Sequence, residues 1–184
     1  MNKDLLLKHL RHVADIYEDL NGPLVEVAIC GGTALNLAGL LERPTKDVDV
    51  LAPDPWPEVL EKAVELTAKR FNLKPDWMNP GPVDLLRMGL PQGYFERCQR
   101  FLFRERLVYL ITSRLDQIHF KLYASIDRGG YHVTDLTSLN PGMDELFQAA
   151  LWCFTHDVSE GFRIGMIDFL QKMGWGNVAR QLEK

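Results

Sequence analysis

The sequence predicts an α/β (α+β) chain in which a small mixed sheet is flanked by helices and followed by a helical C-terminal subdomain. Three observations predict it. Short β-rich runs, Leu24–Cys30, Asp47–Val50 and Leu107–Ile111, are confined to the first two-thirds of the chain. Before and between them lie segments whose apolar residues recur at helical spacing. After Asn140-Pro141-Gly142 the remaining stretch keeps helical periodicity and carries no strand signal. The expected division is a domain over residues 1–139 and a helical subdomain over residues 140–184 packed on it.

The first helix is expected from Leu6, Leu10, Val13, Tyr17 and Leu20 at helical spacing, stopped by Asn21-Gly22-Pro23. The strand Leu24–Cys30 runs into Gly31-Gly32, where the backbone can turn sharply and approach a ligand closely. Thr33 is read as the N-cap of a short helix ending near Leu41. In the strand from Asp47 to Val50 carboxylates alternate with valines, so Asp47 and Asp49 share one face while Val48 and Val50 are buried on the other. A helix is expected over Glu58–Arg70, with Val59, Ala63 and Leu66 along its packed side. Val83–Leu86 reads as a weak strand, and Tyr94–Phe103 as either helix or loop. Ser113 with Asp116 resembles a capping box that opens a helix through Ile126. That helix has Leu115, Ile118, His119 and Leu122 on its apolar side and Gln117, Lys121 and Ser125 on the other. A short helix starting near Thr134 follows, and then a C-terminal set packed through Leu146, Ala149, Ala150 and Cys153.

The 184 residues suit one domain, or one with a small appendage. Cys30, Cys98 and Cys153 are widely spaced and never form a CxxC pair. They suggest neither a disulfide framework nor a thiolate zinc site, and a reducing cytoplasm fits them best. No apolar run reaches membrane-spanning length, and the charged N-terminus lacks the pattern of a signal peptide. A net charge of −4 argues against nonspecific coating of nucleic acid. The charge is nevertheless uneven. Between Arg87 and Arg128 eight basic residues face four acidic ones, which reads either as solvated helix faces or as a local groove for a polyanion.

Gly31-Gly32 before a helix offers backbone N–H groups to a phosphate. It is neither a Walker loop nor a dinucleotide fingerprint. Asp47 and Asp49 repel each other unless a divalent cation neutralises them, and oxygen-only ligands suit magnesium. Together they are what metal-assisted phosphoryl chemistry needs.

The string Gly31-Gly32-Thr33-Ala34-Leu35, followed by Arg43-x-Thr45-x-Asp47-x-Asp49, resembles the nucleotidyltransferase superfamily with the polymerase-beta-like fold. The resemblance looks closest to bacterial AbiEii-like toxins and their small uncharacterised relatives. Lys121-Leu122-x-Ala124, Asp127-Arg128 and Asp135-Leu136 look like a later motif of the same family, so the likeness extends over about residues 24–139. It implies that Gly31, Gly32 and Thr33, with Arg43 and Thr45, hold triphosphate oxygens, and that Asp47 and Asp49 bind Mg2+ (or Mn2+). It further implies that Lys121 contacts phosphate and that Asp135 orients it or assists proton transfer. Many relatives carry a third metal-binding carboxylate, for which Asp84 is the candidate. The implied reaction moves NMP from an NTP to a hydroxyl of RNA, such as a tRNA end, or of a protein. Two alternatives stand beside it: a nucleotide-binding or regulatory domain without turnover, and the toxin of a toxin–antitoxin pair with an antitoxin partner.

Other residues are read as structural. His119 is a core residue, His156-Asp157 a helix cap, and His9 and His12 lack a third ligand. Trp152, Phe154 and Trp175 pack helices, and Tyr94, Phe95, Phe101 and Phe103 are core aromatics flanked by arginines rather than base-stacking platforms.

Overall fold

Strand β1 (Val25–Cys30) is the middle strand of a five-stranded mixed sheet in the computed structural model, which describes residues 1–42 and 44–183. The other strands are β2 (Val48–Ala52), β3 (Met78–Pro80), β4 (Gln99–Leu102) and β5 (Leu107–Ile111), and the order is β3-β2-β1-β5-β4. β1 runs antiparallel to β2 and parallel to β5, β3 runs parallel to β2, and β4 is antiparallel to β5. Every residue of β5 is buried, as a continuous apolar run beside a parallel neighbour predicts.

Helices α1 (Lys3–Asp19) and α3 (Glu58–Phe71) cover one face of the sheet. Leu6, Leu10, Val13 and Tyr17 of α1 meet Val27, Ile29, Val48 and Val50 in one apolar cluster, while Leu20 stays exposed beyond the helix end. On α3 the packed side is Leu60, Ala63, Val64, Thr67 and Ala68, one position round from the expected stripe. Helix α2 (Gly31–Leu37) starts directly at the end of β1. Its N-cap is Cys30, so Thr33 lies inside the first turn and does not cap it.

Two further local expectations differ from the structure, the second only in part. Val83–Leu86 is no strand but the start of α4 (Val83–Met88), an exposed turn of helix in which Asp84 and Arg87 pair at i, i+3. The strand lies just upstream, where Gly81 N–H donates to Val50 O at 2.9 Å and extends the pairing of β3 with β2. Tyr94–Phe103 divides into a short helix, α5 (Tyr94–Arg97), and β4. A strand exposed along most of its length and short enough to sit at a sheet edge has little period-2 hydrophobic signal.

Contacts divide the chain into two compact units, Met1–Ser113 with the whole sheet and Arg114–Lys184 with helices only. The second unit contains α6 (Arg114–Asp127), α7 (Tyr131–Ser138), α8 (Met143–His156), α9 (Glu160–Lys172) and α10 (Gly176–Leu182). α6 packs on α7, α8 and α9, so by packing α6 and α7 go with the helical unit. α6 is buried on nearly every side, including the polar side formed by Gln117, Lys121 and Ser125. A helix buried all round is central to its unit rather than amphipathic.

Leu146, Ala149, Ala150 and Cys153 are the buried residues of α8. His119 Nδ1 lies 2.8 Å from Leu115 O, and the three cysteines are buried and form no disulfide among the described residues. Asp157 is the C-cap of α8. Among the described residues no helix is long and apolar enough to cross a membrane.

Candidate functional site

Antiparallel pairing sets Asp49 of β2 opposite Cys30, the last residue of β1, and this register brings the carboxylate to the point where the chain turns into α2. Gly31 takes up that turn with φ +66°, a region that side chains disfavour. A β-carbon there would lie 2.6 Å from Asp49 Oδ2. On the other flank of β2, a β-carbon on Gly81 would lie 2.8 Å from Asp49 Cβ. Asp49 is thus held between two backbone segments that approach it only because they lack side chains. Gly81 belongs to no motif in the sequence. Its only signal is a lone glycine between Pro80 and Pro82, which reads as a turn.

Asp47 lies just before β2, and both carboxylates are half-buried while Val48 and Val50 are fully buried in the apolar core. The alternation expected from the sequence is therefore present. The Asp47 carbonyl accepts hydrogen bonds from two hydroxyls, Thr33 Oγ1 at 2.6 Å and Thr45 Oγ1 at 3.0 Å. Both threonines are buried, with exposures of 1% and 8%. A hydroxyl has one proton to donate, and here each proton goes to the Asp47 carbonyl. Gly32 sits in the first turn of α2, and Arg43 lies outside the described residues.

Gly31, Thr33, Thr45, Asp47 and Asp49 therefore come together. Asp84 does not join them as a strand residue: it sits in the first turn of α4 with its side chain 83% exposed, 3.8 Å from Arg87. In the helical unit, Lys121 Nζ and Asp135 Oδ2 form an ion pair at 2.8 Å, and both side chains are buried. The Lys121 ammonium also lies 5.6 Å from the centre of the Tyr131 ring. The two opposite charges offset one another in the interior, as burial requires.

The basic segment likewise finds partners within the fold. Arg87 binds Asp54, Arg100 binds Glu26, Arg104 binds Asp15 and Arg106 reaches Glu18. Arg114 forks onto Glu145, Arg128 pairs with Asp127, and Arg97 donates to Gln92 O. Arg114 holds the Glu145 carboxyl below its ordinary value, and Asp54 holds Arg87 above its own. These residues read as solvated faces knitted by ion pairs rather than as a groove. Among the aromatics of this region, Tyr94 is buried with its hydroxyl 2.7 Å from Thr112 Oγ1, and burial pushes the phenol well up.

A cavity of about 750 Å³ lies between α3 and β3, lined by Trp56, Val64, Ala68, Leu73 and Met78 among others. Neither Asp47 nor Asp49 lines it. Its walls include Val64, Ala68 and Met78 of the apolar cluster, so it opens on the sheet face opposite the carboxylates.

Among the described residues no group of three or more His, Cys, Asp or Glu side chains is arranged to hold a metal ion. The donor set still fits magnesium, which commonly takes one or two carboxylates and completes its shell with water and substrate phosphates.

A five-stranded mixed sheet flanked by helices, with a two-carboxylate strand beside a Gly-Gly helix start, is consistent with the α+β fold of nucleotidyltransferases. The chain belongs to a family described as nucleotidyltransferase of unknown function (DUF6036), whose model matches residues 7–136. That match begins in α1, takes in the whole sheet and ends one residue after Asp135. No curated protein and no solved structure matched the chain.

Proposed function

We propose that this protein transfers NMP from an NTP to an acceptor hydroxyl and releases pyrophosphate. The observation that carries the reading is the seating of Asp49 between Gly31 and Gly81 at the start of α2, two residues after the half-buried Asp47. Asp47 and Asp49 would hold Mg2+ (or Mn2+) together with the triphosphate. The ion would supply charge neutralisation on the triphosphate and a lower pKa for the attacking hydroxyl. The acceptor oxygen forms a bond to the α-phosphorus as the bond from that phosphorus to the bridging oxygen breaks, and the hydroxyl proton passes to solvent. Gly31 and Gly32 leave room for phosphate oxygens to approach the backbone of α2. Thr33 and Thr45 act from behind by holding the Asp47 carbonyl.

The acceptor is a hydroxyl of RNA, such as a tRNA end, or of a protein. The engagement of the basic segment in ion pairs supports the protein hydroxyl over the RNA. The test is incubation with Mg2+, each α-labelled NTP and either total tRNA or protein lysate, beside the Asp47→Ala and Asp49→Ala variants. Label that moves in the wild type and not in the variants supports the reading. Equal label in all three overturns it.

One observation favours a second reading, a nucleotide-binding domain without turnover. The exposed Asp84, paired with Arg87, leaves the site with two carboxylates among the described residues. Calorimetric NTP binding without any labelled product supports this second reading.

A further inference from the structure

We propose that Thr33 and Thr45 are positioning residues that set the aim of the Asp47 carboxylate by clamping its backbone, and are not phosphate ligands. The proposal rests on the reading of Asp47 and Asp49 as the metal-binding pair. Asp47 is the carboxylate that the sheet does not hold, because the ladders of β2 begin at Val48 with Met78 and reach Asp49 with Cys30 and Asn79. A residue just outside a ladder needs another restraint if its side chain is to keep one direction.

The two threonines supply that restraint from different places. Thr33 reaches from α2, fourteen positions earlier in the chain, and donates at 2.6 Å. Thr45 reaches from the connecting segment, two positions earlier, and donates at 3.0 Å. A carbonyl oxygen accepts two hydrogen bonds, so the clamp saturates it. Both hydroxyls lie out of water, where a hydrogen bond is stronger and a lost one is not replaced by solvent. Their oxygens are 3.5 Å apart, so the three oxygens form one small cluster that ties α2, the connecting segment and the start of β2 together. A triphosphate cannot reach a threonine side chain that is 1% exposed without first opening this cluster.

The experiment uses the full chain and the variants Thr33→Val, Thr33→Ser, Thr45→Val, Thr45→Ser and Asp49→Asn. Valine keeps the β-branched shape and removes the donor, whereas serine keeps the donor. The probe is a preformed magnesium–tripolyphosphate complex titrated by calorimetry, which carries the triphosphate without committing to a base. The carbonyl carbon-13 shift of Asp47 is recorded in parallel, and unfolding midpoints confirm that every variant is folded at the titration temperature.

Each valine variant is expected to bind about 3- to 10-fold more weakly, the factor that one neutral hydrogen bond corresponds to. Each is also expected to move the Asp47 carbonyl resonance, and each serine variant to restore both readouts. Valine variants that bind like the wild type while Asp49→Asn loses binding overturn the clamp and leave the metal reading standing. Valine variants that weaken binding without moving the Asp47 resonance also overturn it. If wild type and Asp49→Asn bind the probe alike, the nucleotidyltransferase reading has failed and the clamp has no site to aim.

Discussion

Replacing Gly81 by alanine tests the geometry around Asp49 most directly. The added methyl would sit 2.8 Å from Asp49 Cβ and 3.2 Å from its Cα, whereas ordinary contact begins near 3.4 Å. The atoms in the way belong to the backbone and base of a residue paired on both sides, to Cys30 and Asn79, so they cannot swing aside as the tip of a long side chain can. The overlap must be relieved by moving β3 away from β2 or by displacing Asp49. Overpacking of this kind costs about 1–3 kcal/mol. For a chain of this size that corresponds to a fall in melting temperature of about 2–12 °C.

The assay is urea unfolding of Gly81→Ala beside Gly161→Ala, together with binding of magnesium–tripolyphosphate. A methyl on Gly161 meets nothing within 4 Å, so that variant is expected to match or slightly exceed the wild type. Gly81→Ala is expected to lower the midpoint with the slope unchanged and to weaken binding as well. A Gly81→Ala protein as stable as the Gly161→Ala control, with unaltered binding, would refute the argument that Asp49 is pinned from the β3 side.

Other substitutions separate site from scaffold. Asp49→Asn is expected to lower transfer by at least about 100-fold, and removal of divalent ions with EDTA to do the same. Asp84→Asn, at an exposed carboxylate, is expected to leave turnover within about twofold and stability within about 0.5 kcal/mol. Lys121→Met removes the cation beside the buried Asp135 carboxylate and is expected to cost about 3–5 kcal/mol in denaturant unfolding, whereas Lys121→Met with Asp135→Leu recovers most of that loss. His9 supplies a pH test. Burial first, then Lys8 and His12, hold its pKa below 6.5, so the unfolded chain takes up a proton before the folded one does. Its contribution to stability is present above pH 6.5 and is lost as pH falls from there through the lowered folded value. His9→Phe is expected to flatten that part of the stability–pH curve, and an unchanged slope counts against the assignment.

The readable parts of this chain are those in which chemistry and periodicity coincide over a short distance. Asp47-Val48-Asp49-Val50 states its own two faces, because alternation in a strand needs no partner to be interpreted. Leu107–Ile111 and the packed side of α8 are legible for the same reason. β3 and β4 are not, being short edge strands specified by the neighbours they pair with. The burial of the polar side of α6 is not legible either, because the pairing of Lys121 with Asp135, fourteen positions later, depends on how α6 and α7 pack.

The order of a Gly-Gly helix start and an Asp-x-Asp strand, with carboxylates alternating with valines, is legible from the residues alone. Local covalent geometry suffices for those statements. Folding places Asp49 between Gly31 and Gly81, brings the Thr33 and Thr45 hydroxyls to the Asp47 carbonyl, and turns Asp84 outward on a helix. The first depends on the register between β2 and its two neighbours, the second on α2 reaching a carbonyl fourteen positions away, and the third on the helical turn that follows β3, none of which a single segment states by itself.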